Sequence, residues 1–317
     1  MKNIILNGYG NTNVFNLIES PNPSVGAKEV LIRHTAIGVN KIDIQCRMGE
    51  YNTKTCGIEA CGIIERVGEE VGAYNVGDKV VYMTPDFGSY STKRVVHENY
   101  IVKAPDDISD DVLIASFAKG LTAHYLTYRT LAVVQGMGIL VHDASSVTGQ
   151  YLAKWVSASG ALLIGAVKDD KGAEIAKKSG CHHTITYGKG SLADQIKECT
   201  GGLLLNAVYH SVDPEMITES LECLRSMGML IIFDQPGHKL GSIHLAKLQE
   251  KSLFLTCPTI KDYKHNRKEF LLSAEEVFGM VRSQQLEVTI DGMYKLEQVY
   301  EAHQAFENSY GSIVIVP

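Results

Sequence analysis

Gly138-Ile139-Leu140-Val141-His142-Asp143-Ala144-Ser145-Ser146-Val147-Thr148-Gly149 is the stretch that decides how this chain folds. Gly138 to Ala144 reads as an apolar strand. Gly149 to Ser159 follows with helical spacing that turns Leu152, Trp155 and Val156 toward a core. The same alternation continues downstream. Strands are expected at Ala161–Val167, His183–Tyr187, Leu203–Tyr209, Met229–Phe233 and Leu253–Cys257. Helices are expected at Lys171–Ser179, Leu192–Cys199 and Asp213–Met227, the last with Asp213 as N-cap and Gly228 as its stop. Near-continuous apolar strands alternating with helices imply a parallel sheet covered on both faces. Six of them make a doubly wound, dinucleotide-binding sheet the leading architecture.

Upstream the pattern differs. Val30–Val39, Ile58–Val67, Lys79–Met83 and Tyr90–Val96 are β-branched or alternating segments punctuated by Gly68, Gly72, Gly77 and Gly88. This region is expected to form a small barrel or sandwich. After Pro258 come two amphipathic helices, Arg267–Gln284 and Leu296–Ser309, and a last strand, Ser312–Val316. These segments lack a core of their own and are expected to return to the β-rich region. The expected domains are therefore 1–117 with 264–317, and 118–263.

Composition narrows the function classes. The 317 residues are 45% hydrophobic and 21% charged, as in ordinary globular proteins, which sets aside disorder and coiled coil. A net charge of -6 without a long basic run argues against dedicated nucleic-acid binding. No stretch reaches the roughly 18 apolar residues of a membrane helix, and the N-terminus is too short for a signal-peptide core. A cytoplasmic location is expected. The seven cysteines are dispersed without a C-x-x-C pair, which fits buried, reduced thiols.

In a doubly wound sheet the ligand lies beyond the carboxyl ends of the strands, at the switch point. The turn Asp143–Gly149 opens a helix whose free N–H groups point at an anion, so a pyrophosphate is expected there. Only Gly149 supplies a glycine, and the Ser145 and Ser146 hydroxyls are placed to donate to phosphate oxygens. A plain N-capped turn reads the same residues without a ligand. At the second strand end, Lys168, Lys171 and Tyr187 are suited to a ribose 2′-phosphate, whereas Asp169 and Asp170 favour a free 2′-hydroxyl.

Several ordered motifs then carry a resemblance. They are Gly38-Val39-Asn40-Lys41-Ile42-Asp43, Arg47-Met48-Gly49-Glu50-Tyr51, Gly57-Ile58-Glu59-Ala60-Cys61-Gly62, Gly77-Asp78-Lys79-Val80, Lys119-Gly120-Leu121-Thr122-Ala123 and Thr256-Cys257-Pro258. Together they resemble the zinc-independent quinone oxidoreductase branch of the medium-chain dehydrogenase/reductase superfamily, the zeta-crystallin-like proteins, over nearly the whole chain. The resemblance implies an α/β protein with a GroES-like β-rich catalytic domain and a Rossmann-type domain. It also implies a homodimer pairing near Leu253–Cys257, and NADPH-dependent reduction of quinones or activated alkenes, with NADH as the alternative cofactor.

By position, the resemblance assigns Asn40, Tyr51 and Thr122 to the nicotinamide and substrate cleft. It places Gln45 where some relatives carry a second tyrosine. Ser146, Thr148, Gly149, Lys168, Tyr187, Ser211 and Phe233 fall where relatives touch the dinucleotide. The chemistry expected is direct hydride transfer, with Tyr51 and Asn40 donating hydrogen bonds to the acceptor oxygen. Zinc-dependent relatives carry Cys where Asn40 stands and His where Ile58 stands, and neither replacement ligates zinc.

The chain departs from the family at the glycine loop, at Asp143, His210, Asp213 and Asp234, and near Ser309, where an arginine is missing. Carboxylates added near an anionic cofactor are expected to weaken its binding. The alternatives are an alkenal or enoyl reductase at the same site, and a dimeric family member that has lost catalysis.

Overall fold

The computed structural model describes residues 1–236 and 239–317. They divide into two compact units, Met1–Ala118 with His265–Pro317, and Lys119–Lys264. No helix among the described residues is long and apolar enough to cross a membrane.

Among the described residues, the second unit holds a six-stranded sheet. In chain order its strands are Gly138–His142, Leu162–Val167, His183–Thr186, Leu205–His210, Leu224–Ile232 and Phe254–Thr256. In space they lie in the order third, second, first, fourth, fifth, sixth, and every neighbouring pair is parallel. That is the doubly wound order of dinucleotide-binding folds. Ile139, Leu140 and Val141 are fully buried, as expected for a central strand covered on both faces. The helices Val147–Ala158, Asp170–Lys178 and Leu192–Thr200 begin at Ser146, Asp169 and Ser191, whose side chains accept the N–H three residues on. Each cap satisfies an amide that the helix itself cannot.

One expected helix is corrected. In place of a helix over 213–227, a 3-10 turn, Pro214–Met216, leads into a short helix, Ile217–Glu222. The next strand already starts at Leu224 and runs through Gly228, which stops nothing. Ile217, Leu221 and Leu224 have helical spacing and share one core cluster, so the pattern extends past the true end. Leu224 pairs with Leu205, and Met229 with Ala207. The residues between bulge outward with Met227 in a left-handed conformation, φ 60°.

In the first unit, the long strand Glu29–Gly38 is central. It pairs antiparallel with Glu59–Val67, Lys93–His97 and the C-terminal strand Ser312–Val316. Lys79–Met83 and Ile101–Lys103 extend the sheet on one side, and Ile290–Lys295 on the other. A separate hairpin joins Lys2–Leu6 to Phe15–Glu19. Val30, Ile32, Ile37, Ile64, Val80, Tyr82, Ile313 and Ile315 meet in one core, so both ends of the chain build it. A fully buried side chain of this kind contributes about 1.5–3 kcal/mol.

Two histidines are buried in this unit. His34 Nδ1 bonds the Ser91 carbonyl at 2.7 Å, and its Nε2 bonds the Tyr82 hydroxyl at 2.9 Å. His303 Nε2 bonds the Tyr90 hydroxyl at 2.9 Å, with Phe15 edge-on to its ring at 4.6 Å. Burial lowers both to a pKa of about 3, and nearby Arg94 and Arg47, respectively, add to the shift. A free histidine titrates near about 6.5, so acid protonates these rings in the unfolded chain first. Their neutral state is therefore fully stabilising above about pH 6.5, and stability falls as pH drops toward 3. Each ring is expected to add up to about 1.4 kcal/mol per pH unit to that slope. Denaturant unfolding between pH 7 and 4 measures it. His34→Gln should flatten the slope, and an unchanged slope would refute this account.

Candidate functional site

The carboxyl ends of the parallel strands collect the dinucleotide candidates of the second unit. The first strand ends at His142 and enters the turn Asp143–Ser146. Asp143 takes a left-handed conformation, φ 50°, which aspartate tolerates better than most residues. Its carbonyl accepts both the Ser146 N–H at 2.9 Å and the Ser146 hydroxyl at 2.8 Å. Ser146 Oγ in turn accepts the Gly149 N–H at 3.2 Å. Val147 and Thr148 occupy the first turn, where amides have no intrahelical acceptor. Ser145 is buried, and its carbonyl accepts from Gln150 Nε2 at 2.8 Å. A Cβ on Gly149 would lie 2.3 Å from the Asp143 carbonyl oxygen, so only glycine permits this close packing of helix on turn.

At the second strand end, Lys168 is exposed and Lys171 stands in the first turn of the following helix. Asp169 Oδ1 accepts the Gly172 N–H at 2.7 Å, so this carboxylate turns onto its own helix as a cap. At the third strand end, the Tyr187 hydroxyl bonds His142 Nδ1 at 2.9 Å and accepts the Asp143 N–H at 3.1 Å. After the fourth strand, Ser211 is buried, and its hydroxyl reaches the His142 carbonyl at 3.4 Å. Phe233, also buried, follows the fifth strand and donates its N–H to the His210 carbonyl. Gln235 Nε2 donates to the Ser211 and Val212 carbonyls, both at 2.9 Å, and ties these two strand ends together. Thr122 is buried on the helix Asp110–Tyr125, in the part of it belonging to this unit.

In the first unit, Asn40 begins the helix Lys41–Arg47 directly after the central strand. Two buried carboxylates hold it. Its Nδ2 donates to Glu59 Oε1 at 2.7 Å, and its N–H donates to Asp43 Oδ2 at 2.9 Å. Glu59 Oε2 accepts the Ala118 N–H at 3.0 Å, and Asp43 Oδ1 accepts the Gly57 N–H at 2.8 Å. Both carboxylates therefore accept on both oxygens, and the Asn40 amide nitrogen is fixed toward Glu59. Gln45 is buried on the same helix. Tyr51 is half-buried in the loop that follows, with its ring edge-on to Phe87 at 5.4 Å.

Glu59, Asp43, His142, His210, Ser220 and Gln235 escape sequence reasoning. Glu59 and Asp43 do lie inside quoted motifs, but their role depends on partners far along the chain. Among the described residues, no group of three or more His, Cys, Asp or Glu side chains is arranged to hold a metal.

Comparison with known proteins agrees with this geometry. Residues 26–106 match the alcohol dehydrogenase GroES-like domain, and residues 148–262 match the zinc-binding dehydrogenase domain. These define an α/β reductase class with one GroES-like and one dinucleotide-binding domain. The chain is 34% identical to a 2-haloacrylate reductase from a Burkholderia species, over 93% of this chain and 92% of that one. It is 32% identical to a quinone oxidoreductase of Pseudomonas aeruginosa, over 100% and 99%. The crystal structure of Escherichia coli quinone oxidoreductase complexed with NADPH has a TM-score of 0.95 to this chain at 30% identity, covering 100% of both. The chain belongs to the quinone oxidoreductase family of medium-chain dehydrogenases/reductases.

The tight packing at Gly149 gives a direct test of the loop. Gly149→Ala forces the turn to move and is expected to weaken dinucleotide binding by about tenfold or more, roughly the cost of one lost charge-assisted hydrogen bond. Calorimetric titration measures it, and wild-type affinity in the variant would refute a cofactor role for this turn.

Proposed function

We propose that this protein is an NADPH-dependent reductase of quinones or similar electron-poor acceptors, working without zinc. The observation that carries the reading is the turn after the first strand. Despite its lost glycines it still forms an N-capped helix terminus at the switch point, open to an anion. The donor set there fits the cofactor: the Ser145 hydroxyl, Thr148, the amides of the first turn and two nearby lysines, while the Ser146 hydroxyl donates to the Asp143 carbonyl and serves as the helix cap. The family's NADPH-complexed member supports the choice of cofactor. Asp169 caps its own helix with one carboxylate oxygen, and Lys168, exposed at this strand end, and Lys171 supply the positive charge suited to a 2′-phosphate.

In this reading Ser145, Thr148 and Gly149 hold the pyrophosphate, with Ser146 as the helix cap, and Ser211 and Phe233 line the nicotinamide end. Bound NADPH supplies the hydride. Tyr51 and Asn40 donate hydrogen bonds to the acceptor oxygen as negative charge develops there. Glu59 holds the Asn40 amide so that one N–H stays directed away from the carboxylate. Gln45 lines the acceptor, and Thr122 belongs with the nicotinamide. Tyr51 or water delivers the proton. Zinc has no place here, because Asn40 and Ile58 offer an amide and a hydrocarbon where zinc needs thiolate and imidazole. The likeness to 2-haloacrylate reductase favours an activated alkene as second acceptor class.

The reading is tested by titrating cofactor-free protein with NADPH and, separately, NADH. Micromolar NADPH binding with much weaker NADH binding is expected, and binding of neither would overturn the proposal. With a quinone as acceptor, Tyr51→Phe and Asn40→Ala should each lower kcat/KM by about 10- to 100-fold, the range of a lost oxyanion donor. Unchanged turnover in both would remove their roles.

We further assign the protein to the cytoplasm as a homodimer. The strand Phe254–Thr256 ends its sheet, pairs on one side only and exposes 56% of Phe254. Sedimentation is expected to give twice the chain mass, and Phe254→Lys to give one chain. A wild-type mass of a single chain would refute the dimer.

A further inference from the structure

Beneath the dinucleotide turn lies a chain of buried polar side chains that the proposed reaction does not use. His142, His210 and Ser220 are all fully buried. The Tyr187 hydroxyl bonds His142 Nδ1 at 2.9 Å, and His142 Nε2 bonds Ser220 Oγ at 3.0 Å. Ser220 Oγ bonds His210 Nδ1 at 2.9 Å. The His142 and Tyr187 rings lie nearly parallel, 6° apart with centroids at 5.8 Å, and the His210 ring meets His142 edge-on at 5.0 Å. The chain thus links the ends of the first, third and fourth strands to the helix Ile217–Glu222.

Ser220 carries one hydroxyl proton between two imidazole nitrogens. It donates to one ring and accepts from the other, so the tautomers of the two rings are coupled through it. Burial and the neighbouring His210 lower His142 to a pKa of about 3, so its ring stays neutral across the physiological range. The upper end of the chain acts on the first of the two peptide groups that flank Asp143, and Ser146 acts on the second. Tyr187 accepts the Asp143 N–H at 3.1 Å, while Ser146 takes up the Asp143 carbonyl. Asp143 is the turn residue in a left-handed conformation, which a residue with a Cβ adopts at a cost and keeps only when its surroundings hold it.

We propose that Tyr187, anchored through His142, Ser220 and His210, is a positioning residue that fixes the Asp143 peptide, and with it the phosphate-binding turn, for NADPH and NADH alike. The proposal rests on the dinucleotide-binding reading above, and it gives Tyr187 a role other than contact with the 2′-phosphate. The hydroxyl faces the turn's own amide and a buried imidazole, so its removal loosens the pyrophosphate seat that both cofactors share. A phosphate contact, by contrast, would serve NADPH alone.

The test is calorimetric titration of wild type, Tyr187→Phe, Ser220→Ala and Ser220→Thr with NADPH and with NADH. Tyr187→Phe should raise both dissociation constants by the same factor, about 3- to 10-fold for one hydrogen bond, and leave their ratio unchanged. Ser220→Ala, at a fully buried residue separated from Tyr187 by His142, should shift both in the same direction by a smaller factor. Ser220→Thr restores the hydroxyl and should return both toward wild type. A loss confined to NADPH would make Tyr187 a phosphate contact and overturn the proposal. Unchanged binding of both cofactors in Tyr187→Phe and Ser220→Ala, with only thermal stability lowered, would overturn it as well. Wild type that binds neither cofactor would instead overturn the dinucleotide reading, and this proposal with it.

Discussion

Parallel pairing of the strand Gly138–His142 with a neighbour on each side is the constraint on which the dinucleotide half-site depends. Its partners are the second strand on one side and the fourth on the other. Because all the strands run the same way, their carboxyl ends share one edge of the sheet. The chain leaves the first strand toward one side and returns at the fourth on the other, so the turn at Asp143–Ser146 opens where the winding reverses. Residues as distant in sequence as Ser145, Lys168, Tyr187, Ser211 and Phe233 reach one edge for that reason alone. The helix that follows needs an N-cap whether or not a ligand binds. Ser146 provides it, and the anion-binding amides come with it.

The first unit meets a comparable demand with charge in place of sheet geometry. Asn40 sits where the central strand turns into a helix, and an asparagine there could adopt several rotamers. Glu59 removes that freedom. Its two oxygens accept from two different segments, the Asn40 amide and the Ala118 backbone. Asp43 does the same for the Asn40 backbone and Gly57. A buried carboxylate is expensive unless its lone pairs are used, and both are used here. The cost of burying two charges is thus tied to the placement of one amide, which is the arrangement expected of a preorganised hydrogen-bond donor.

The parts of this architecture that repeat locally were legible in the sequence. Apolar runs of five or six residues with capped helices between them announce the parallel sheet, and the loop at 143–149 announces the turn from its first strand into a helix. Legibility failed where local pattern and tertiary pairing disagree. Ile217, Leu221 and Leu224 keep helical spacing across a boundary at which the backbone changes to a strand, because the core accepts the same apolar residues from either structure. The supporting network failed for another reason. His142 reads as an interruption of an apolar run, His210 as a substitution and Ser220 as an ordinary helical residue. Only the fold brings them within hydrogen-bond distance, and no spacing rule links positions 142, 187, 210 and 220.

Two aspartates just past strand ends follow the same logic. Asp143 and Asp234 end the first and fifth strands, and both adopt left-handed conformations, φ 50° and 53°. Glycine enters that region freely, while aspartate enters it at a cost lower than most residues because its short side chain bonds locally. The backbone path past the dinucleotide edge is therefore kept while its flexibility is reduced and its charge made more negative. A glycine turn would adapt to an incoming pyrophosphate. An aspartate turn must already hold the right shape, and the hydrogen bonds to the two peptides that flank Asp143 supply that shape from the protein's own side chains. A loop with a single glycine and a buried tyrosine–histidine–serine brace are two aspects of one solution: rigidity built in from below stands in for the close approach that further glycines would allow from above.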